Sequence, residues 1–103
     1  MANRQKDFNE LLALQFEDLD FSKAYIMSLI NDEGLAPDQA LRETIVAMGL
    51  QAFSKKSGLR IQYVSDFVNK RKKMTIKTLG KHLKKVFNLR VKLLVEPLGK
   101  NAA

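Results

Sequence analysis

A chain of 103 residues has room for one hydrophobic core and little more. With 46% hydrophobic and 28% charged residues it has the make-up of a folded globular protein, which argues against disorder along its length. It contains no cysteine, so disulfides, thiolate metal sites and cysteine nucleophiles are excluded together. No apolar run approaches the ~20 residues of a bilayer span. The apolar patch Leu11–Leu14 is bracketed by Asp7, Glu10 and Glu17, unlike the uncharged core of a secretory signal, so the expected location is the cytoplasm. The net charge of +7 hides a division. Residues 1–48 carry four Lys or Arg against nine acids, a net of −5, and residues 49–103 carry fourteen against two, a net of +12. Such a split suggests a polyanionic partner for the second half.

In chain order, residues 1–17 form an N-terminal helix or arm: Phe8, Leu11, Leu12 and Phe16 fit a helical stripe, whereas Leu12, Leu14 and Phe16 fit a strand. A helix is predicted over about Phe21–Asn31, with Asp20 as N-cap, Tyr25 and Leu29 following Phe21 at helical spacing, and Gly34 as terminator. Pro37 suits the first turn of a helix over Pro37–Met48, whose buried face is Leu41, Ile45 and Met48, and Gly49 ends it. Two short helices follow, Leu50–Ser57 and Arg60–Val68, with Gly58 between them. Lys70–Lys73 is a basic loop. Thr75 caps a last helix, Ile76–Phe87, with Ile76, Leu79, Leu83, Val86 and Phe87 on its apolar face and Lys77, Lys81, Lys84 and Lys85 opposite. Asn88 tolerates the left-handed conformation that stops a helix. The alternation of Val91, Leu93 and Val95 over Arg90–Val95 reads as one strand, which needs a partner for its backbone; a second copy of the chain is the expected one. From Gly99 the tail is expected to be loose. The resulting division is an arm or helix over 1–17, a main helical domain over 18–97 and a flexible tail over 98–103.

The pair Leu50–Ser57 and Arg60–Val68 has the layout of a helix-turn-helix, in which Ala52, Phe53, Leu59, Val64, Phe67 and Val68 close a small core and Gln62, Tyr63, Ser65, Asp66 and Asn69 face out. The second helix of such a unit lies in the DNA major groove, where polar side chains distinguish base pairs. Gln62 suits a bidentate contact to adenine. Ile61 either meets a thymine methyl or packs under its helix. Asp66 either accepts from cytosine N4 or pairs with Lys70 four residues on, the favoured reading being the ion pair. Lys70, Arg71, Lys72 and Lys73 follow the reading helix directly and are expected to contact phosphate; Lys77, Lys81, Lys84 and Lys85 are more simply the wet face of a helix.

With these residues in view, Leu50 to Val91 resembles the lambda-repressor-like (Cro and phage-repressor) helix-turn-helix domain. The wider span from about Asp18 to Pro97 resembles the addiction-module antidote proteins, the antitoxins of toxin–antitoxin pairs. The resemblance rests on Asp20–Ile26 with Asp32-Glu33-Gly34, on Ser57-Gly58-Leu59, and on Phe87–Val91 through Val95-Glu96-Pro97. It implies an all-α, five-helix domain with one C-terminal β-strand paired across a homodimer. It also implies sequence-specific operator binding at an inverted repeat, repression of its own operon, a nucleoid-associated location and a cognate protein toxin as a further partner. Ile61, Gln62 and Asp66 stand where the family reads bases, and Gln51 and Arg60 where it touches phosphates; Tyr63 and the loop cations complete the expected phosphate-contacting set. The departures are Ser54, where the family has alanine, Arg60, where it has a capping serine or threonine, Asn88, where it has the glycine before the final strand, and the unusually basic loop after the reading helix.

The alternative is a helix-turn-helix regulator without a toxin. A membrane-surface module ranks lower, because the last helix lacks the bulky aromatic face such helices prefer. An enzyme is the least favoured class: His82 is the only histidine and reads as a surface or edge residue, the scattered acids make no paired site, no glycine-rich phosphate loop is present, and no cofactor or metal is expected.

Overall fold

Helix boundaries fall where the chain carries residues that start or stop helices. The computed structural model describes residues 4–98, with side chains from Glu10 onward. It contains α1 (Arg4–Gln15), α2 (Leu19–Asn31), α3 (Pro37–Met48), α4 (Leu50–Ser57), α5 (Ile61–Val68) and α6 (Ile76–Phe87), and among the described residues no strand. The protein is therefore all-α. The predicted bounds of α3, α4 and α6 coincide with the observed ones. Pro37 fixes the first turn of α3, Gly49 turns the chain at φ 100°, Thr75 Oγ1 accepts from the Thr78 amide at 3.1 Å, and Asn88 sits left-handed at φ 54°.

The cap of α2 is Asp18 and not Asp20. Asp18 takes the extended backbone a cap requires, and its Oδ1 accepts from the amides of Asp20 at 2.8 Å and Phe21 at 3.3 Å. Asp20 lies inside the first turn, where its charge still suits the helix start. The ambiguous N-terminal segment is helical, and Phe16 just beyond it is buried with Phe21 and Tyr25 set edge-on at 5.1 and 5.0 Å.

The core gathers around α3, which touches α1, α2, α4 and α5. Ile26, Leu41, Ile45, Phe53, Val64, Phe67 and Phe87 are fully enclosed, and Phe53 stacks on Phe87. Ile76 departs from expectation: it is 67% exposed, because the first residue of α6 projects past the core that takes Leu79, Leu83, Val86 and Phe87. Beyond α6, Val91 tucks toward Gly80, but Leu93, Leu94 and Val95 are 77–85% exposed and Arg90–Leu98 has no regular structure in the single chain. The expectation of a loose tail from Gly99 lies outside the described residues. No described helix is long and apolar enough to cross a membrane.

Candidate nucleic-acid interface

The turn between α4 and α5 is braced from several directions. Gly58 adopts φ 79°, ψ 4°, a left-handed conformation that costs glycine little. Its amide donates to the Ser54 carbonyl at 2.9 Å, and the Leu59 amide donates to Ser57 Oγ at 3.1 Å. The Ser54 hydroxyl donates to the Leu59 carbonyl, so this serine ties the two sides of the turn. From α6, Lys85 Nζ donates to the Ser57 carbonyl at 3.0 Å. Lys85 is exposed like Lys77, Lys81 and Lys84 beside it but differs from them in bracing this turn.

At the start of α5, Arg60 has the extended backbone of a cap but makes no side-chain cap bond. The first-turn amides therefore lack a side-chain acceptor, which leaves a concentrated positive end on the helix. Val64 and Phe67 bury one face of α5. On the other, Gln62 is exposed, Ile61 is 45% exposed, and Tyr63, Ser65 and Asp66 are half-buried. Ile61 is therefore not packed beneath its helix.

Asp66 does not pair with Lys70. The helix stops at Val68, and Lys70 takes a left-handed φ of 63°, which removes it from the i, i+4 register that the pair requires. The chain then turns back, with the Arg71 and Lys72 amides donating to the Asp66 carbonyl at 2.8 and 3.2 Å. This brings Arg71 Nη1 to 3.8 Å from Asp66 Oδ1, which also accepts from Gln62 Nε2 at 3.0 Å. Lys72 Nζ sits 4.6 Å from the centroid of the Tyr63 ring, a cation–π contact that holds the loop against α5. The structure thus joins Gln62, Asp66 and Arg71 in one cluster and Tyr63 with Lys72 in another. Lys70, Arg71, Lys72 and Lys73 are all exposed, as are Gln51 in the first turn of α4 and Arg60 at the start of α5.

Two residues behave in ways the chain pattern did not reveal. Arg42 is 7% exposed; its Nε donates to the Phe67 carbonyl at 2.8 Å, its Nη1 meets Asp38 at 2.9 Å, and its guanidinium lies 4.4 Å from the Phe67 ring centroid. It therefore ties the C-terminal end of α5 to α3. The hydrogen bond from Arg42 holds the Asp38 carboxyl below its ordinary pKa. The i, i+4 spacing of Asp38 and Arg42 signals their pairing, but not the burial.

His82 is the second: it is 5% exposed, not at the surface, because it falls on the same helical face as Leu79, Leu83 and Val86. Its Nδ1 has no hydrogen-bond partner. Burial, reinforced by the charges of Lys81 and Lys85, pushes its pKa below the ordinary value. Among the described residues no cluster of three His, Cys, Asp or Glu could hold a metal ion. No protein-family model, curated protein or solved structure matches the chain.

Proposed function

We propose that this protein is a sequence-specific DNA-binding repressor that lays α5 in the major groove as the reading helix of a lambda-repressor-like helix-turn-helix. The observation that carries the reading is the exposed polar face of α5, with Gln62 at its centre, set between the left-handed Gly58 turn and four consecutive exposed cations. The major groove admits such a helix, and base edges there differ in donor and acceptor pattern. Ile61 and Gln62 form the base-facing set, with Asp66 beside Gln62 on the same face of α5. Arg60, Gln51, Tyr63 and Lys70–Lys73, with the uncapped amides of α5, form the phosphate-facing set, which positions the protein and supplies affinity without choosing a sequence.

The protein acts as a homodimer, in which Arg90–Val95 pairs as a strand with the same segment of a second copy. The exposed Leu93, Leu94 and Val95, and the largely apolar cleft of about 320 Å³ that Met74, Ile76, Leu79 and Val91 line nearby, support this arrangement. Two-fold symmetry then requires two half-sites about 34 Å apart, one helical turn. Selection from random duplexes at physiological salt tests the reading. An enriched inverted repeat is expected, and equal retention of all sequences refutes it.

The further reading, as the antitoxin of a toxin–antitoxin pair, rests on the resemblance over Asp18–Pro97. The acidic first half is the surface for a basic toxin. Of the acids there, Asp18 and Asp32 are engaged in bonds to their own helix, whereas Asp20 and Glu33 are exposed without such bonds. Co-expression separates this from a stand-alone regulator: an antitoxin co-purifies with a partner that poisons cells when expressed alone.

A further inference from the structure

We infer that Asp66 does not read DNA itself but orients Gln62, so that the pair selects adenine at one position of each half-site. This rests on the DNA-binding reading above and deepens it by giving Asp66 the task of fixing how Gln62 meets adenine. A glutamine amide on a helix surface can turn its oxygen and nitrogen either way. Here the choice is forced. Asp66 Oδ1 is 3.0 Å from the amide nitrogen of Gln62, and the reverse orientation would set carbonyl oxygen against carboxylate.

The backbone at Asp66 is fixed by the Arg71 and Lys72 amides that donate to its main-chain carbonyl, and the carboxylate is only 25% exposed, with Arg71 Nη1 at 3.8 Å from Oδ1. Arg71 also offsets the repulsion a lone acid would exert on nearby phosphates.

With one amide hydrogen bound to Asp66, Gln62 keeps one N–H donor and the Oε1 acceptor. Among the major-groove edges only adenine offers the complement, an N6 donor beside an N7 acceptor. Guanine presents two acceptors, thymine one acceptor and a methyl group, and cytosine one donor, so each leaves part of the amide unmatched or opposed.

The test uses the full chain and a pool of random duplexes at physiological salt, followed by titration of the enriched duplex with each base in turn at the position that Gln62→Ala relaxes. Adenine is expected there, preferred by roughly tenfold or more. In Asp66→Ala that preference should fall to about threefold or less, while overall binding holds or rises because a negative charge has been removed. Asp66→Glu, whose carboxylate can only accept, should keep the preference, whereas Asp66→Asn, whose amide can present either its oxygen or its nitrogen to Gln62, should relax it toward the alanine value. A different base at that position overturns the inference. So does an Asp66→Ala protein that keeps the same ratio, whether it binds all sequences more weakly (a structural role) or more tightly (a solvated acid). A pool with no enriched sequence removes the DNA reading and this inference together; an enriched repeat indifferent to Asp66 removes the inference alone.

Discussion

The two halves of the molecule use charge differently. Around α2 and α3 several charged side chains are engaged locally: Asp18 caps its helix, Asp32 accepts from Ser28 at 2.9 Å, and Asp38 and Arg42 pair at 2.9 Å around a buried guanidinium, while Asp20, Glu33 and Glu43 stay exposed. From α4 onward most cations stay exposed. Lys85 braces a turn, Lys72 rests on Tyr63, and Arg60, Lys70, Lys73, Lys77, Lys81 and Lys84 stand out from the surface. Charges that meet their needs within the fold give little sign of an external partner. Charges left over and of one sign are the ground for the polyanionic partner proposed above.

The contrast predicts that removing charge lowers stability in the first half and DNA retention in the second. The largest effect should come from changing Lys70, Arg71, Lys72 and Lys73 together to glutamine. Binding of any duplex should fall on the order of 10²-fold, with the dependence of log K on log salt shallower by about 0.9 for each phosphate no longer neutralised. Thermal unfolding should stay nearly unchanged, as expected for exposed positions. If binding survives intact, the cations are only a solvated loop and the comparison between halves breaks.

Next is Arg42→Ala, in the acidic half. It leaves the Phe67 carbonyl without its donor and removes packing against the Phe67 ring, for a loss of about 2–3 kcal/mol in denaturant unfolding. The exposed Asp38 carboxylate is rehydrated and adds little.

Gly34 and Gly58 sharpen the comparison at a finer scale, since their φ angles are nearly alike at 71° and 79°. Gly34→Ala meets open space and should cost about 1 kcal/mol for the left-handed backbone alone. Gly58→Ala places a Cβ 3.1 Å from Lys85 Nζ, so that ammonium must shift by a few tenths of an ångström, which weakens its bond to Ser57. A total of about 2 kcal/mol is expected, together with weaker DNA retention because the turn aims α5.

The smallest effect concerns His82. Its pKa in the folded chain lies below 6.5, so the unfolded chain binds more protons as pH falls through that value, and stability declines with acidification until the folded-state value is passed. Above pH 6.5 this contribution is fully present and flat. His82→Leu should abolish this part of the acid dependence in a series of melts. At neutral pH it should leave stability equal or raise it by about 1 kcal/mol, since an unpartnered buried nitrogen is removed.

Much of the helical layout was legible because local chemistry decides it. Pro37, Gly49, Gly58, Thr75 and Asn88 set helix ends through their own backbone preferences or side-chain bonds, and those ends lie where expected. What escaped depends on groups distant in sequence or on a change in backbone path. Arg42 is buried because Phe67, twenty-five residues on, presents a carbonyl and a ring. His82 occupies a position the apolar stripe includes but its polarity disguises. The Asp66–Lys70 pair fails because Lys70 leaves the helix, which also explains the unforeseen approach of Arg71. The choice between Asp18 and Asp20 as cap turns on which of them takes the extended backbone, and composition is silent on that.

In the proposed role, the brevity of α5 limits how much sequence one copy of the protein can read. Its eight residues span about 12 Å, the axial length of roughly four base pairs, and four specified pairs recur by chance about once in 256. Two copies reading eight pairs raise that to about one in 65,000, still dozens of accidental matches in a bacterial-sized chromosome of several million pairs. In the proposed role, a single address can be found only if further information is added, by sites in tandem or by DNA whose shape helps at positions no side chain touches.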